Sequence, residues 1–149
     1  MARPAPERRR WPSLPQRRLN PLERARLAGE IVLAWARARR AMRTMALEHA
    51  VAGLRARTTP ASGRRPPDRT EAHRLARAVV ITLRPLPGDT RCLARSLALT
   101  RVLSRRAIPS TLVIGARTEP GFLAHAWIEL AGEPLLDPGE GEFQRLVEL

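Results

Sequence analysis

The spacing of apolar residues predicts a long amphipathic helix close to the start of the chain. Asn20 can cap this helix, Pro21 suits its first turn, and Glu23 follows the cap at the capping-box spacing. Apolar residues then recur every three or four positions, which is the period of one helical face. They are Leu27, Ile31, Trp35, Ala38, Met42, Met45 and His49. We expect one helix from Asn20 to about Ala52 or Arg57, with a solvated, Arg-rich opposite face.

Two further helices are predicted after a proline-rich break. Residues 58–68 contain three Pro and one Gly, which no helix or strand would tolerate. A second amphipathic helix begins at the capping-box spacing between Asp68 and Glu71 and ends before Pro85. A third helix is expected over about Arg91–Ala107, and its apolar positions are frequent enough to be largely buried.

The period of the apolar positions falls to about two after Pro109, which indicates strands. The pattern predicts strands at Thr111–Gly115, Leu123–Leu130 and Glu133–Asp137, with a tight turn at Ala131–Gly132 between the last two. Helices come first and antiparallel strands follow. This order predicts an α+β fold in which N-terminal helices pack on a small C-terminal antiparallel sheet.

Charge divides the chain unevenly. All 27 basic residues are Arg, and 25 of them lie in residues 1–106 together with 7 of the 14 acidic residues. A chain without Lys is typical of a GC-rich genome. The field of the front half favours anionic partners, such as nucleic acid, a membrane surface or an acidic peptide, and does not choose among them.

Composition and pattern together predict four segments. Residues 1–19 mix Pro with Arg and cannot bury a core, so we expect a disordered basic arm. A helical region at 20–57 and a linker loop at 58–68 follow. The segment 69–149 contains the last helices and all the strands, and it is expected to form the functional core.

Several classes of protein are disfavoured by composition. One Cys cannot form a disulfide framework, and the three His are too scattered to complete a zinc site with it. We therefore expect neither a metal nor a cofactor. No stretch approaches the roughly 18 apolar residues of a membrane span, and residues 1–20 lack the apolar region of a signal peptide. These features favour a cytoplasmic protein.

The lone thiol stands at a position that can activate it. Cys92 lies in the first turn of the third predicted helix, where free backbone N–H groups and the helix dipole favour the thiolate. Arg91 and Arg95 add positive charge nearby. Cys92 is therefore a candidate nucleophile, although a lone Cys in an apolar helix is more often an inert core residue.

A base and an orienting acid can be proposed on the strands. His125 lies within the second strand, and a hairpin centred at Ala131 places Asp137 directly opposite it. Cys92, His125 and Asp137 could then form a nucleophile, base and acid triad. Glu129 and Glu133 are rival orienting acids, and Asp137 could simply belong to a turn.

Other residues of interest have simpler explanations. His49 is expected to be a hydrogen-bonded residue on the apolar stripe, and His73 a solvated one. Trp127 has the same parity as His125 on its strand, so it either flanks the base or serves as a core aromatic residue.

Three stretches together carry a family resemblance. They are RCLARSLAL at 91–99, LSRRAIPSTLVIGAR at 103–117 and FLAHAWIEL at 122–130. The chain resembles the transglutaminase-like cysteine peptidases of lasso peptide biosynthesis, the B2 or leader-peptidase component. The resemblance implies a papain/transglutaminase-like α+β fold and a triad of Cys92, His125 and Asp137. Ala107 stands where that family usually has Gly, which affects at most a helix cap.

The resemblance also implies a function and partners. The expected activity is removal of the leader from a ribosomally made lasso peptide precursor, before a separate ATP-dependent cyclase acts on the core. Residues 1–69 show no strands from which to build a leader-recognition domain, so a separate B1 protein is the expected partner.

Two other functions stay open. An amide-forming transglutaminase-like acyltransferase would use the same fold and replace water with an amine. A basic module for nucleic acid or membrane binding agrees with the charge, but the sequence lacks interleaved aromatic residues and any recognised docking motif, and no nucleic acid is expected.

Overall fold

The computed structural model describes residues 19–55, 69–86, 91–136 and 141–149. The predicted basic arm except Leu19, the whole of the predicted linker loop at 58–68, and Asp137 lie outside these ranges. Four helices precede four strands, which confirms the predicted α+β class. The elements are α1 (Pro21–Thr44), α2 (Leu47–Arg55), α3 (Arg69–Leu83), α4 (Arg91–Ser104), β1 (Thr111–Arg117), β2 (Leu123–Leu130), β3 (Glu133–Pro134) and β4 (Gln144–Glu148).

The predicted start of α1 is confirmed in detail. Asn20 accepts a hydrogen bond from the backbone N–H of Glu23 at 2.7 Å, and the Glu23 carboxylate accepts one from the Asn20 N–H at 2.9 Å. Because Pro21 has no N–H, two of the three N–H groups left free at this helix start are thus satisfied. The buried stripe of α1 consists of Ile31, Ala34 and Ala38.

The expectation of one continuous helix to Ala52 or beyond is wrong. Met45 is extended, with φ −150° and ψ 162°, and it separates α1 from α2. The Thr44 hydroxyl donates to the carbonyls of Arg40 and Ala41 at 3.1 and 3.4 Å, which satisfies acceptors at the helix end. The break rotates the following turn, so His49, expected on the buried stripe, is exposed.

Helix α4 ends earlier than predicted, at Ser104, in a Schellman motif. The Ile108 N–H donates to the Leu103 carbonyl at 3.1 Å, and the Ala107 N–H donates to the Ser104 carbonyl at 3.0 Å. Ala107 itself has φ 55°, the left-handed conformation that favours Gly. The Gly-to-Ala departure noted in the sequence therefore falls on the cap residue of this motif.

The sheet has four antiparallel strands in the order β3-β2-β1-β4. Strand β4 is an edge strand that the sequence pattern did not predict, because its apolar residues Leu146 and Val147 are adjacent rather than alternating. Ala131 and Gly132 form the predicted tight turn with φ 51° and 81°. Strand β3 comprises Glu133–Pro134 only, which is shorter than predicted.

The register assumed for this last hairpin is wrong by one position. Leu130 pairs with Glu133 and Glu129 pairs with Pro134, so the hairpin is centred between Ala131 and Gly132 rather than on Ala131. Asp137 lies outside the described residues. The pairing argument that placed it opposite His125 therefore no longer holds.

Helix α4 is the centre of the fold, as its dense apolar sequence predicted. It packs against α1, α2 and α3 and against strand β2. Its fully buried side chains include Leu97, Leu99, Val102 and Leu103. The buried Ser96 hydroxyl donates to the Ala126 carbonyl at 3.1 Å and ties α4 directly to β2. His73 on α3, expected to be solvated, is partly buried.

None of the helices within the described ranges is both long enough and apolar enough to span a bilayer.

Candidate active site

Cys92 is the second residue of α4 and is partly buried. Its position in the first turn, predicted from the sequence, places its sulfur beside N–H groups that have no partner within the helix. The side chain therefore lies at the positive end of the helix dipole, where a thiolate is favoured.

The Cys92 thiol meets His125 across the boundary between helix and sheet. A hydrogen bond with His125 is the main cause that lowers the pKa of the thiol below its ordinary value. Burial acts in the opposite direction, whereas backbone hydrogen bonds with Ala126 and Leu93 and the charge of His125 lower the pKa further. The structure thus brings together two of the three predicted site residues, and their contact favours the thiolate form of Cys92.

His125 belongs to an aromatic cluster on one face of β2. Its ring stacks on Trp127 with centroids 6.2 Å apart and an interplanar angle of 18°, and it contacts Phe143 at 5.7 Å. Trp127 and Phe143 also contact each other, at 6.1 Å. Trp127 therefore flanks the base, one of the two interpretations left open by the sequence, while also belonging to the core.

Gly115 leaves the space that this cluster occupies. It pairs with His125 across β1 and β2. A Cβ at this position would lie 2.9 Å from the Trp127 ring, 3.0 Å from the Phe143 Cβ and 3.0 Å from the Gln144 carbonyl oxygen. The two large rings can reach the site because the residue beneath them has no side chain.

The two rival acids bind other groups. The buried Glu129 carboxylate accepts a hydrogen bond from Trp127 Nε1 at 2.8 Å and forms a two-pronged ion pair with Arg145. Glu133 pairs with Arg69 at the surface, at 3.0 Å. Asp137 lies outside the described residues, so its role as the orienting acid stays a prediction.

Phe143 and Arg145 are contributions to the site that the sequence analysis missed. Both follow from the unpredicted strand β4 and the residue before it. Phe143 is one of two Phe in a chain with 3% aromatic residues, and this scarcity was the one sequence signal that could have marked it as a site residue. The guanidinium of Arg117 lies over the Phe143 ring, 5.7 Å from its centroid, and adds a positive charge near the cluster.

No three His, Cys, Asp or Glu side chains cluster closely enough to hold a metal ion in the part of the chain that the structure describes. The chemistry available at this site is that of a thiolate beside an imidazole, with backbone N–H groups at a helix start.

Comparison with known proteins identifies the family of the chain. The sequence profile of the transglutaminase-like superfamily matches residues 36–148, from the middle of α1 to the end of β4. The chain belongs to the transglutaminase-like superfamily. Its members are typically cysteine-dependent enzymes, and the predicted transglutaminase-like fold is confirmed.

A curated relative is also similar over part of its length. The chain is 48% identical over 46 residues to the microcin J25-processing protein McjB of Escherichia coli. The matched segment is 31% of this chain and 22% of McjB, so the chain spans about a fifth of that relative. This partial match supports the resemblance to B2 proteins of lasso peptide biosynthesis. No solved structure matches significantly.

Proposed function

We propose that this protein is a cysteine peptidase that removes the leader from a ribosomally synthesised lasso peptide precursor. The observation that carries the proposal is the contact between Cys92 and His125, which lowers the pKa of a thiol at the start of a helix. A thiol stabilised as its anion beside an imidazole is the reactive pair of cysteine peptidases. The superfamily match and the likeness to a peptide-processing protein support the choice of substrate class.

The reaction follows from the chemistry of this pair. The Cys92 thiolate attacks the carbonyl carbon of the last leader residue and forms a C–S bond. His125 donates a proton to the departing amine of the core peptide as the C–N bond breaks. Water, activated by His125, then hydrolyses the thioester, which releases the leader with a free carboxylate and restores the thiol. The Cys92 backbone N–H is a candidate donor to the oxyanion.

Asp137 completes the proposed triad. In this role its carboxylate would accept a hydrogen bond from the imidazole and hold the tautomer that faces the sulfur. Asp137→Asn should then lower kcat, by up to about 10⁴ if the acid acts as in serine triads, and by less where thiolate and imidazolium already form an ion pair. The control is Arg69→Gln, which breaks an exposed ion pair with Glu133. Equal kcat for Asp137→Asn and Arg69→Gln would remove Asp137 from the triad.

A separate B1 leader-recognition protein is the proposed partner, with the ATP-dependent lasso cyclase acting afterwards. The described part of residues 20–57 is helical and packs on α4, so it offers no strands to a leader. B1 would raise the effective concentration of the precursor at Cys92. The purified protein should therefore cleave precursor faster when B1 is added, and equal rates with and without B1 would refute this partnership.

The decisive experiment follows the product by mass spectrometry. Precursor, B1 and the protein should yield a leader with a free carboxylate and a core with a free amine. Cys92→Ala should abolish both products while the protein stays folded, because a small, partly buried side chain at a helix start is replaced by one of similar size. Intact precursor with the unmodified protein, or cleavage by Cys92→Ala, would overturn the proposal.

An amide-forming acyltransferase is the second candidate, because the superfamily and the Cys92 and His125 pair agree with it equally well. The same assay, repeated with an added primary amine, separates the two functions. A product mass equal to leader plus amine less water indicates acyl transfer, whereas hydrolysis gives the free acid regardless of the amine.

A further inference from the structure

A chain of contacts leads from Arg145 on the edge strand β4, through the buried side chains of Glu129 and Trp127, to the ring of His125. Arg145 on β4 donates to both carboxylate oxygens of Glu129 on β2, at 3.1 and 2.9 Å. Glu129 in turn accepts from Trp127 Nε1 at 2.8 Å, and the Trp127 ring stacks on His125. The candidate mechanism uses none of these three side chains.

The indole has little freedom to rotate. Trp127 is 4% exposed, and its polar edge is held by Glu129. A rotation about the indole bonds would break the Nε1 hydrogen bond and leave a buried carboxylate oxygen with one donor fewer. Because the Trp127 and His125 planes differ by only 18°, a fixed indole also restricts the tilt of the imidazole.

The cost of this arrangement shows that it is more than ordinary packing. The Glu129 side chain is 7% exposed, whereas Arg145 is 43% exposed. A carboxylate is expensive to bury, and a buried ion pair commonly adds no stability compared with apolar residues of similar size. The hydrogen bonds with Glu129 and Glu148 raise the pKa of Arg145, so the guanidinium stays charged and keeps Glu129 paired.

We infer that Trp127, held by Glu129 and Arg145, is a positioning residue that sets the plane of the His125 ring against the Cys92 thiol. The inference rests on the proposed function only in taking Cys92 and His125 as the reacting pair. A thiol hydrogen bond is directional, so a tilted imidazole would interact less well with the sulfur. The weaker hydrogen bond should appear first as a higher pKa of the Cys92 thiol.

Other charges near the pair must stay constant in such a test. On α4, Arg95 follows Cys92 by one turn, and on β1 the Arg117 guanidinium lies over Phe143. On β2 the charged group is Glu129, and on β4 the charged groups are Arg145 and its partner Glu148. Variants that keep formal charge unchanged are therefore the most informative, and Trp127→Phe and Arg145→Lys meet that condition.

The experiment measures the rate of alkylation of Cys92 by iodoacetamide against pH. Trp127→Phe keeps an aromatic ring and loses the donor to Glu129, whereas Trp127→Leu loses both. We expect the apparent pKa of Cys92 to rise by about one unit in Trp127→Phe and further in Trp127→Leu. One unit corresponds to about a tenfold loss of thiolate at pH values below both pKa values. Arg145→Lys keeps the charge and loses the two-pronged geometry, so it should raise the pKa by a smaller amount. Glu129→Gln removes a negative charge, which by itself lowers the pKa of the thiol, so a rise in this variant would report the loosened indole.

Controls separate positioning from folding. Arg69→Gln removes an arginine from an exposed ion pair outside this network and should leave the pH profile of alkylation unchanged. A purely structural role would lower the melting temperature without moving the apparent pKa in the folded protein. If Glu129→Gln does not fold, the Trp127 and Arg145→Lys variants still decide the question.

Unchanged pH profiles in folded Trp127→Phe and Trp127→Leu would overturn the inference. The alkylation assay needs no peptide substrate, so it is independent of leader removal. A failure of peptide cleavage with shifted pH profiles would refute the proposed function alone. Unshifted profiles with normal cleavage in the variants would refute the positioning role alone.

Discussion

Replacing Gly115 with Ala should disturb both the stability of the sheet and the reactive pair. The new Cβ would stand 2.9 Å from the Trp127 ring, 3.0 Å from the Gln144 carbonyl oxygen and 3.0 Å from the Phe143 Cβ. The first contact is closer than real Cβ atoms show, and the other two are tighter than nearly all real Cβ contacts. Two of the three involve backbone or a Cβ atom, so they cannot be relieved by rotating the end of a flexible side chain.

The magnitude follows from this crowding. Inserting a methyl group into a filled site costs typically about 1–3 kcal/mol, and Gly115 has close contacts on more than one side. Gly29 and Gly53 provide matched controls, because they lie inside α1 and α2 and an added Cβ meets nothing within 4 Å. Gly29→Ala and Gly53→Ala should each stabilise the protein by roughly 0.5–1 kcal/mol through helix propensity.

Urea unfolding of the three variants measures the effect. Gly115→Ala should lower the midpoint with little change in slope, whereas the two controls should raise it. Since the contacted rings are those that flank His125, Gly115→Ala should also slow alkylation of Cys92 near neutral pH. A Gly115→Ala variant as stable as the wild type, with an unchanged alkylation rate, would show that the aromatic cluster is loosely packed.

Three further predictions concern the thiol, an ion pair and a helix cap. His125→Ala should raise the pKa of Cys92, because the variant lacks the main group that lowers this pKa. The thiolate is present above the pKa of the thiol and is lost as pH falls through that value, so alkylation near pH 7 should slow. An unchanged rate would mean that His125 does not activate the thiol. Burial raises the pKa of Glu30, but the hydrogen bonds and charge of Arg106, with the charges of Arg105 and Arg101, outweigh it and lower the pKa below 4.5. Glu30 therefore stabilises the fold above its unfolded pKa and loses this contribution as pH falls through its folded pKa. Glu30→Gln should lower the free energy of unfolding by about 1–2 kcal/mol at pH 7, and urea unfolding should show a smaller loss of stability at acid pH than in the wild type. The same loss at acid pH in both proteins would contradict the shift. Ala107→Gly should leave stability unchanged or raise it by up to about 1 kcal/mol, since Ala107 has φ 55°, and a clear loss in thermal melting would contradict the strain.

Local signals predicted the elements that carry the candidate site. The capping residues Asn20 and Glu23 fixed the start of α1, and the apolar density of α4 correctly indicated a buried helix. Cys92 in the first turn of α4 and His125 on an apolar strand followed from the same reasoning. Their contact agrees with the prediction, because α4 has nowhere to pack its apolar face except against the sheet and the other helices.

The failures have a shared physical cause. The break at Met45 contains neither Pro nor Gly, so no local signal marked it. The hairpin register depends on one residue, and a turn at Ala131 and Gly132 is compatible with two centres. Strand β4 is stabilised by pairing with β1 rather than by its own pattern, since all five of its residues are exposed. Tertiary contacts decide each of these features, and the local sequence pattern carries no information about them.

The excess of arginine also has a different meaning once the fold is known. Four arginines connect elements of the fold, and three of them bind two acceptors at once in a fixed geometry that Lys does not provide. Arg55 donates to the Ser110 and Leu149 carbonyls, Arg101 donates to the Leu54 carbonyl, Arg106 forms a two-pronged pair with Glu30, and Arg145 does the same with Glu129.

Arg55 connects α2 to the start of β1 and to the last residue, and Arg101 caps α2. Arg106 connects α4 to α1, and Arg145 holds the network beside His125. Arg101 is 8% exposed and cannot act as part of an anion-binding surface. The net charge of +13 therefore overstates the positive charge available to a nucleic acid or membrane partner. Part of the positive charge that could have formed a binding surface instead holds the helices and the sheet in the arrangement that brings Cys92 to His125.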